Sequence, residues 1–322
     1  MPEEKAKVPG PVEIVPLPDE QVALWVAGSE RLRWHFGSRH PRPFFWPVIG
    51  PSGRMLTRMG HPADFSHDHH RSWWFGHRDV GGVNFWEERA TNRQQVRQLQ
   101  WLHYQDGESF CGMAVRLGWF DAHNTLLLQQ DFSLILQPLP HGELWIEWWL
   151  QFTTPLAELR LGQTNFGFAG LRVARSISAH YGGGRLSNSE GGIGEAQMFA
   201  KPARWADYSG PTASGSGAAD RSPEHWEGIT WFDHRDNPGH PTSWHARDDG
   251  WMSAAFNLRQ AYLLRKGETL TLRYGFHVHR GDVQRQRAEE VWKQFAAHPV
   301  PRLESAQRPW RYRLEYTPLV VP

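Results

Sequence analysis

The chain holds a single cysteine, Cys111, so no intrachain disulfide can form. It also lacks any stretch near the roughly 18 consecutive apolar residues that a membrane helix needs. Its first twenty residues, MPEEKAKVPGPVEIVPLPDE, put acids and prolines where a secretory leader requires an apolar run. There is no excess of one charge: 35 basic against 34 acidic residues leave a net +1, without a Lys/Arg block. That balance excludes the electrostatic footprint of a nucleic-acid binder. The GxGxxG, Walker A, GxSxG, CxxC and HExxH signatures are missing, which removes the commonest nucleotide, serine-hydrolase, redox and zinc-protease readings. The expectation is a soluble, cytoplasmic protein with neither membrane nor nucleic-acid partner and with no cofactor required by a motif. A homo-oligomer is compatible with all of this.

What is abundant is more telling: 18 His, 18 Trp and 31 Gly in 322 residues. Tryptophan offers a flat apolar face with a polar edge, which matches the C–H face and hydroxyl rim of a pyranose. Most of the tryptophans are nevertheless expected in a β core, because aromatics favour strands. Period-2 alternation supports that core. Leu144, Ile146, Trp148, Leu150 and Phe152 share one face of a run that forms a hairpin with residues 130–136 across the turn PLPHG. Leu270, Leu272, Tyr274, Phe276 and Val278 share another strand face, which sends His277 and His279 together to the opposite side. Helical spacing is strong only at Ala288, Val291, Trp292, Phe295 and Ala296. The fold class expected is all-β, a large antiparallel β-sandwich with one C-terminal amphipathic helix. One domain spans 1–322, with an N-terminal extension (1–20), a long loop (209–228) and the helix (282–298). Gly182–Gly184 and Gly191–Gly194 read as hairpin turns.

Four stretches carry the candidate chemistry. HPADFSHDHHRSWWFGHRD, residues 61–79, packs five His, two Trp and three Asp into nineteen positions with little aliphatic filler. Imidazoles so placed suit acid–base work, with neighbouring aspartates fixing their tautomers. They also suit a divalent metal at His67 and His69, with His277 or His279 completing the set, although the nearby carboxylate usual in a His-x-His site is missing. The second stretch, residues 231–250, interleaves Asp233, His234, His245, Arg247 and Asp248 with Trp244 around an Asn-Pro-Gly turn. In the third, Arg204, Trp205, Asp207 and Tyr208 are the residue kinds that line a sugar pocket. The fourth, RPFFWPVIGPSG, reads as edge strand and turn, flanked by Arg42 and Arg58.

Taken in order, RPFFWPVIGPSG, HDHHRSWWFGH, ARWADYSG, DHRDNPGHPTSWHAR and LRYGFHVHRG resemble the motifs of the soluble family labelled PmoA-like, over most of residues 40–281. The chain departs from that pattern at Thr164-Asn165-Phe166-Gly167, where the family has a lysine and a glutamate after the threonine. The label points to a membrane-embedded methane oxygenase subunit, which a chain without a membrane run does not match. The resemblance implies instead a β-supersandwich similar to aldose mutarotases, with His, Arg and acidic side chains in a shallow cleft on one sheet. The function expected is a carbohydrate-active enzyme using histidine acid–base chemistry for glycosidic cleavage, by hydrolysis or elimination, or for epimerisation. Its catalytic candidates are His69, His70, His245, Asp233 and His234. Hydroxyl or carboxylate contacts fall to Arg42, Arg58, His77, Asn165, Arg204, Asp207, Tyr208, Arg247 and Asp248. Stacking falls to Trp73, Trp74, Trp205 and Trp244. A metal-dependent enzyme and a non-catalytic sugar-binding module are the alternatives.

Overall fold

A computed structural model describes residues 11–88, 93–212, 222–305 and 312–322. The early strands are β1 (Val12–Leu17), β2 (Gln21–Val26), β3 (Ser29–His35), β4 (Phe44–Val48), β5 (Trp73–His77), β6 (Gln95–Gln105) and β7 (Cys111–Phe120). Then come β8 (Leu126–Pro138), β9 (Leu144–Thr153), β10 (Glu158–Leu161), β11 (Gly167–Arg172), β12 (Arg185–Asn188), β13 (Trp205–Pro211) and β14 (Trp226–Asp233). The last are β15 (Trp244–Arg247), β16 (Trp251–Ala254), β17 (Tyr262–Arg265), β18 (Leu270–Arg280), β19 (Arg302–Ser305) and β20 (Tyr312–Glu315). Helices α1 (Ala179–Gly182) and α2 (Glu195–Met198) are single turns, and α3 (Arg285–Ala297) has thirteen residues. None of the described helices is long and apolar enough to cross a membrane.

Two eight-stranded antiparallel sheets make the sandwich. The first runs β1-β2-β3-β4-β5-β11-β16-β15 and the second β12-β13-β14-β18-β9-β8-β7-β6. Alternation along each strand decides which residues meet between them. Trp34, Phe45, Trp73 and Phe75 point inward from the first sheet, and Phe132, Trp148, Phe276 and Trp231 from the second. Trp73 stacks on Trp148 across the gap with ring centroids 4.1 Å apart, an arrangement that adds about 0.5–1.5 kcal/mol beyond area burial. On the other face of the second sheet, Trp145, Trp205 and Phe232 are covered by Ala288, Val291 and Phe295 of α3. That helix explains why nearly every residue of β9 and β18 is buried despite their alternation. Among the described residues no helix of more than one turn covers the first sheet, and its outer face holds the cleft.

The structure departs from the sequence reading in four places. Val12–Leu17, expected in the N-terminal extension, pairs with β2 as an edge strand. RPFFWPVIGPSG lies inside the sheet: Pro47 is accommodated in β4 because its pairing with β3 shifts register between Leu32 and Trp34, leaving Pro47 without a ladder partner. The long loop is shorter than 209–228, since β13 continues to Pro211 and β14 starts at Trp226; residues 213–221 lie outside the described residues. Gly183 ends α1 with φ 84°, so the glycine triplet caps a helix and does not turn a hairpin.

Candidate functional site

At one end of the first sheet, Ser72, Arg172, Trp251 and Arg247 lie side by side across β5, β11, β16 and β15. Arg172 N–H donates to Ser72 O, and Trp251 pairs with both arginines. Alternation then sorts the side chains. Ala169, Leu171, Trp244, Ala246 and Met252 enter the core, so Arg172, His245 and Trp251 face outward. Gly170 is what lets the Trp251 indole lie flat: a Cβ there would come within 1.9 Å of the ring. The indole packs beside Trp74 and Trp86 and floors a cleft of about 610 Å³, a size typical of small-molecule sites.

The loop before β5 forms one wall. Asp64 caps the short 3-10 turn Phe65–His67, accepting from Ser66 N–H, and its other oxygen pairs with His67 Nδ1 at 2.9 Å. His69 Nδ1 donates to Ser66 O at 3.2 Å. His70, at 5% exposure, stacks on Trp251 with centroids 4.9 Å apart. The Arg172 guanidinium donates to His70 Nδ1 at 2.9 and 3.2 Å. Arginine only donates, so Nδ1 is the bare nitrogen and the neutral ring carries its proton on Nε2. Arg172 also donates to Asp249 Oδ1 at 2.9 Å, and Asp249 Oδ2 accepts from His61 Nε2 at 3.0 Å. His61 takes that tautomer because its Nδ1 accepts from the backbone N–H groups of Ala63 and Asp64.

His245 stands on the opposite wall, also 5% exposed, between Phe166, Phe199 and Trp251 at centroid distances of 5.2, 5.4 and 5.9 Å. Its Nδ1 donates to the backbone carbonyl of Asn165 at 2.9 Å. A carbonyl only accepts, so this ring has the opposite tautomer: the proton is on Nδ1 and Nε2 offers a lone pair. Neither the His70 nor the His245 Nε2 has a hydrogen-bond partner among the described residues. Both rings contact Trp251, so their centroids are no farther apart than the sum of the two distances to it.

Burial dominates the electrostatics. It holds His245 at about 4, with Arg247 a smaller influence in the same direction, and holds His69 at about 4, helped by Arg42. His70 sits well below the usual imidazole value, through burial first and then the facing Arg172. Burial would raise Asp249, but Arg172 and His61 outweigh it and its carboxyl is lowered. Two neutral imidazoles therefore face one cleft at neutral pH, one donating and one accepting.

Of the residues singled out from sequence, His67, His69, His70, Asn165, His245 and Arg247 line this cleft. The HDHH loop and the WHAR strand do face one another. Trp74 is fully buried beside Trp251 and Trp86 and does not line the cleft. Trp73 and Trp244 are core residues: on a strand the neighbour of an outward His245 must point inward, and Trp244 Nε1 donates to Ala203 O. Trp244 therefore does not stack beside His245. His77 is buried against Phe168 and Asn257. Arg42 is buried behind the wall, donating to Phe85 O and His69 O, while Arg58 donates to Met59 O and His61 O. At the rim Arg247 pairs with Glu195, and Asp248 accepts from Glu195 N–H. Tyr208 supports that rim from the core, its hydroxyl bonded to Arg247 O and Asp248 O.

The remaining candidates lie elsewhere. Arg204 and Trp205 bond Glu289 of α3 on the outer face of the second sheet. On the same face Asp207 takes His279 and Thr230, and Glu143 takes His277 and Arg287. Asp233 closes a turn by accepting from Asn237, His240 and Thr242, and His234 lies against Arg273. His277 and His279 are thus separated by the whole sandwich from His67 and His69, and the metal set read from sequence is not assembled. Among the described residues no group of three His, Cys, Asp or Glu side chains is placed to hold a metal ion. Sequence reasoning passed over His61, Trp86, Phe166, Arg172, Asp249 and Trp251. Asp249 and Trp251 adjoin the WHAR motif and were within reach. Arg172, a lone arginine ending an apolar run, gave no local signal.

One protein-family model, described as a family of unknown function, matches residues 21–293. No curated protein matches the chain.

Proposed function

The chain belongs to that family of unknown function, DUF6807, and we propose that it is a carbohydrate-active enzyme that moves a proton on a sugar held over Trp251. The observation that carries the reading is the pair of oppositely fixed imidazoles. His245 Nε2, bare and neutral, is the general base. His70 Nε2–H is a neutral donor that polarises the sugar oxygen on which charge develops, as a hydrogen bond aimed at a developing oxyanion does. Arg172 acts through His70 by keeping its Nδ1 unprotonated. Trp251 and Trp86 offer apolar faces to a pyranose, and Arg247 and Asn165 offer hydroxyl partners at the edge.

Proton balance favours anomer exchange. His245 takes the proton of the anomeric hydroxyl as the C1–O5 bond opens and returns it to the ring oxygen that this releases, so no other group needs to change charge. Epimerisation at carbon would need a second proton donor on the opposite face of the ring. Two-carboxylate hydrolysis needs an acid pair across the bond. The sequence candidates Asp207 and Asp233 lie on the other sheet. Of the carboxylates that line the cleft, Glu88 is tied to Arg42 and Arg71, Asp249 to Arg172 and His61, and Asp64 to His67. Thr164–Gly167, where the chain departs from the PmoA-like pattern, contributes Asn165 and Phe166 to the cleft wall. Chemistry that depends on the lysine and glutamate of that pattern is therefore not carried over.

The test is incubation with a panel of aldoses and glycosides in D2O, followed by proton NMR. One spectrum scores anomer exchange, C–H exchange and bond cleavage. The expected result is acceleration of anomer exchange on one sugar class, lost by about 10²–10⁴-fold in His245→Ala. Binding without exchange would identify a non-catalytic sugar-binding module instead.

A further inference from the structure

Beyond the cleft wall lies a second cavity of about 350 Å³. The two cavities share Glu87 and Glu88, which form the ridge between them. The ridge is firmly held. Glu88 receives Arg42 at 2.9 Å and is clasped by Arg71, and Arg42 also donates to His69 O. Through Arg42 the ridge is tied to the His69 backbone, and the His69 and His70 rings lie 4.6 Å apart.

The linings differ in kind. Trp86, Phe166 and Trp251 make the first cavity aromatic. The second is polar, lined by Ser38, Arg39, His40, Gln94 and Gln95 around Phe85. Much of its hydrogen-bonding capacity is unused. Among the described residues the His40 ring nitrogens and the Gln95 amide have no hydrogen-bond partner. Arg39 has only a 3.8 Å contact with Asp19, both highly exposed. His40 is held edge-on against Phe44 at 4.9 Å, and burial, then Arg71, lowers it, so it is a neutral donor and acceptor. Unspent neutral donors and acceptors suit hydroxyl groups.

We infer that this second cavity is the subsite for a second sugar unit, so that the substrate is a glycoside of two or more rings and not a free monosaccharide. The inference rests on the acid–base reading of the first cavity. One ring lies over Trp251 between His70 and His245, the linkage crosses the Glu87–Glu88 ridge, and the next ring is read by His40, Gln95 and Arg39.

The test is equilibrium binding, by ligand-observed NMR and calorimetry, of glucose against cellobiose and maltose, and of galactose against lactose. In at least one comparison the disaccharide is expected to bind about tenfold tighter, the equivalent of one or two added hydrogen bonds. That advantage should shrink to less than about threefold in Arg39→Ala/Gln95→Ala and, separately, in His40→Ala, with monosaccharide affinity unchanged. The first variant changes only side chains at the protein surface, so a folding defect in His40→Ala would not decide the outcome. Monosaccharide binding with no disaccharide advantage, or an advantage that survives in both variants, overturns the second subsite and leaves the acid–base reading standing. If no sugar binds or undergoes anomer exchange, both fall.

Discussion

Replacing Arg172 by Met tests the organisation of the cleft without requiring a known substrate. The guanidinium is almost fully buried and serves two partners, His70 Nδ1 and Asp249. Breaking a buried ion pair costs about 3–5 kcal/mol when the remaining charge is stranded. Asp249 is less stranded than that, because its side chain is 29% exposed and it keeps His61. Methionine also retains apolar contact with Trp251. The expected loss is therefore about 2–3 kcal/mol, or about 1 M in urea midpoint at a slope near 3 kcal/mol/M. Arg172→Lys should fall between, since one ammonium cannot serve both partners with the same fork. The more diagnostic reading is the His70 ring. In the native protein, nitrogen NMR should show it neutral with Nδ1 bare. In Arg172→Met the opposing charge and both donors disappear, so its pKa should rise from its depressed position, though not to the free value, because burial remains. A variant within about 0.5 kcal/mol of the parent and with an unchanged His70 ring would refute the idea that Arg172 sets this tautomer.

Three further outcomes are expected. His245→Ala should lose most anomer exchange while weakening sugar binding only slightly, and in the parent the acid limb of kcat/KM should fall near pH 4, because the base is active only above its lowered pKa of about 4; a limb at pH 6–7 would exclude His245. Stability should decline as the solution is acidified from pH 6.5 toward 4. His77, His245 and His277 are each held at about 4, chiefly by burial, so the unfolded chain binds more protons throughout that window. The slope is up to about 1.4 kcal/mol per pH unit for each group. His279, whose net rise comes from Asp207 overcoming burial, works in the opposite sense, and a flat urea-midpoint profile would contradict the balance. Finally, Gly170→Ala should displace the Trp251 ring it would meet at 1.9 Å, lowering the melting temperature and removing sugar affinity together; a variant with parental affinity would show that Trp251 is not the platform.

Much of the scaffold was legible because alternation is a local signal. Residues 144–152 and 270–279 announce their inward faces, and the helical period at 288–296 announces the covering of the second sheet. The HDHH and WHAR stretches were legible as polar clusters in strand-rich surroundings. What the sequence did not say is which of four sheet faces each cluster occupies. Arg204, Trp205, Asp207 and Asp233–His234 look as site-like as HDHH, yet they sit on the outer face of the second sheet or in a turn, because β13 and β14 belong to that sheet. Trp244 was misread by ignoring the strand's own period. Arg172 was invisible for a different reason: its meaning lies in pairing with His70, more than a hundred residues away, and that adjacency arises only from the β5-β11 ladder.

The helix lying over one sheet and not the other has a consequence for how this protein can change. Residues on the face beneath α3 are held by packing, so most exchanges at Trp145, Trp205 or Phe232 are paid in stability. The cleft face is lined largely by loop side chains that bear on no second layer, and the wall of residues 61–70 carries little of the core. New chemistry can be tried there while the fold is held elsewhere. Trp251 is the exception: it serves both as packing and as platform, and at that position selection for activity and selection for folding cannot be separated.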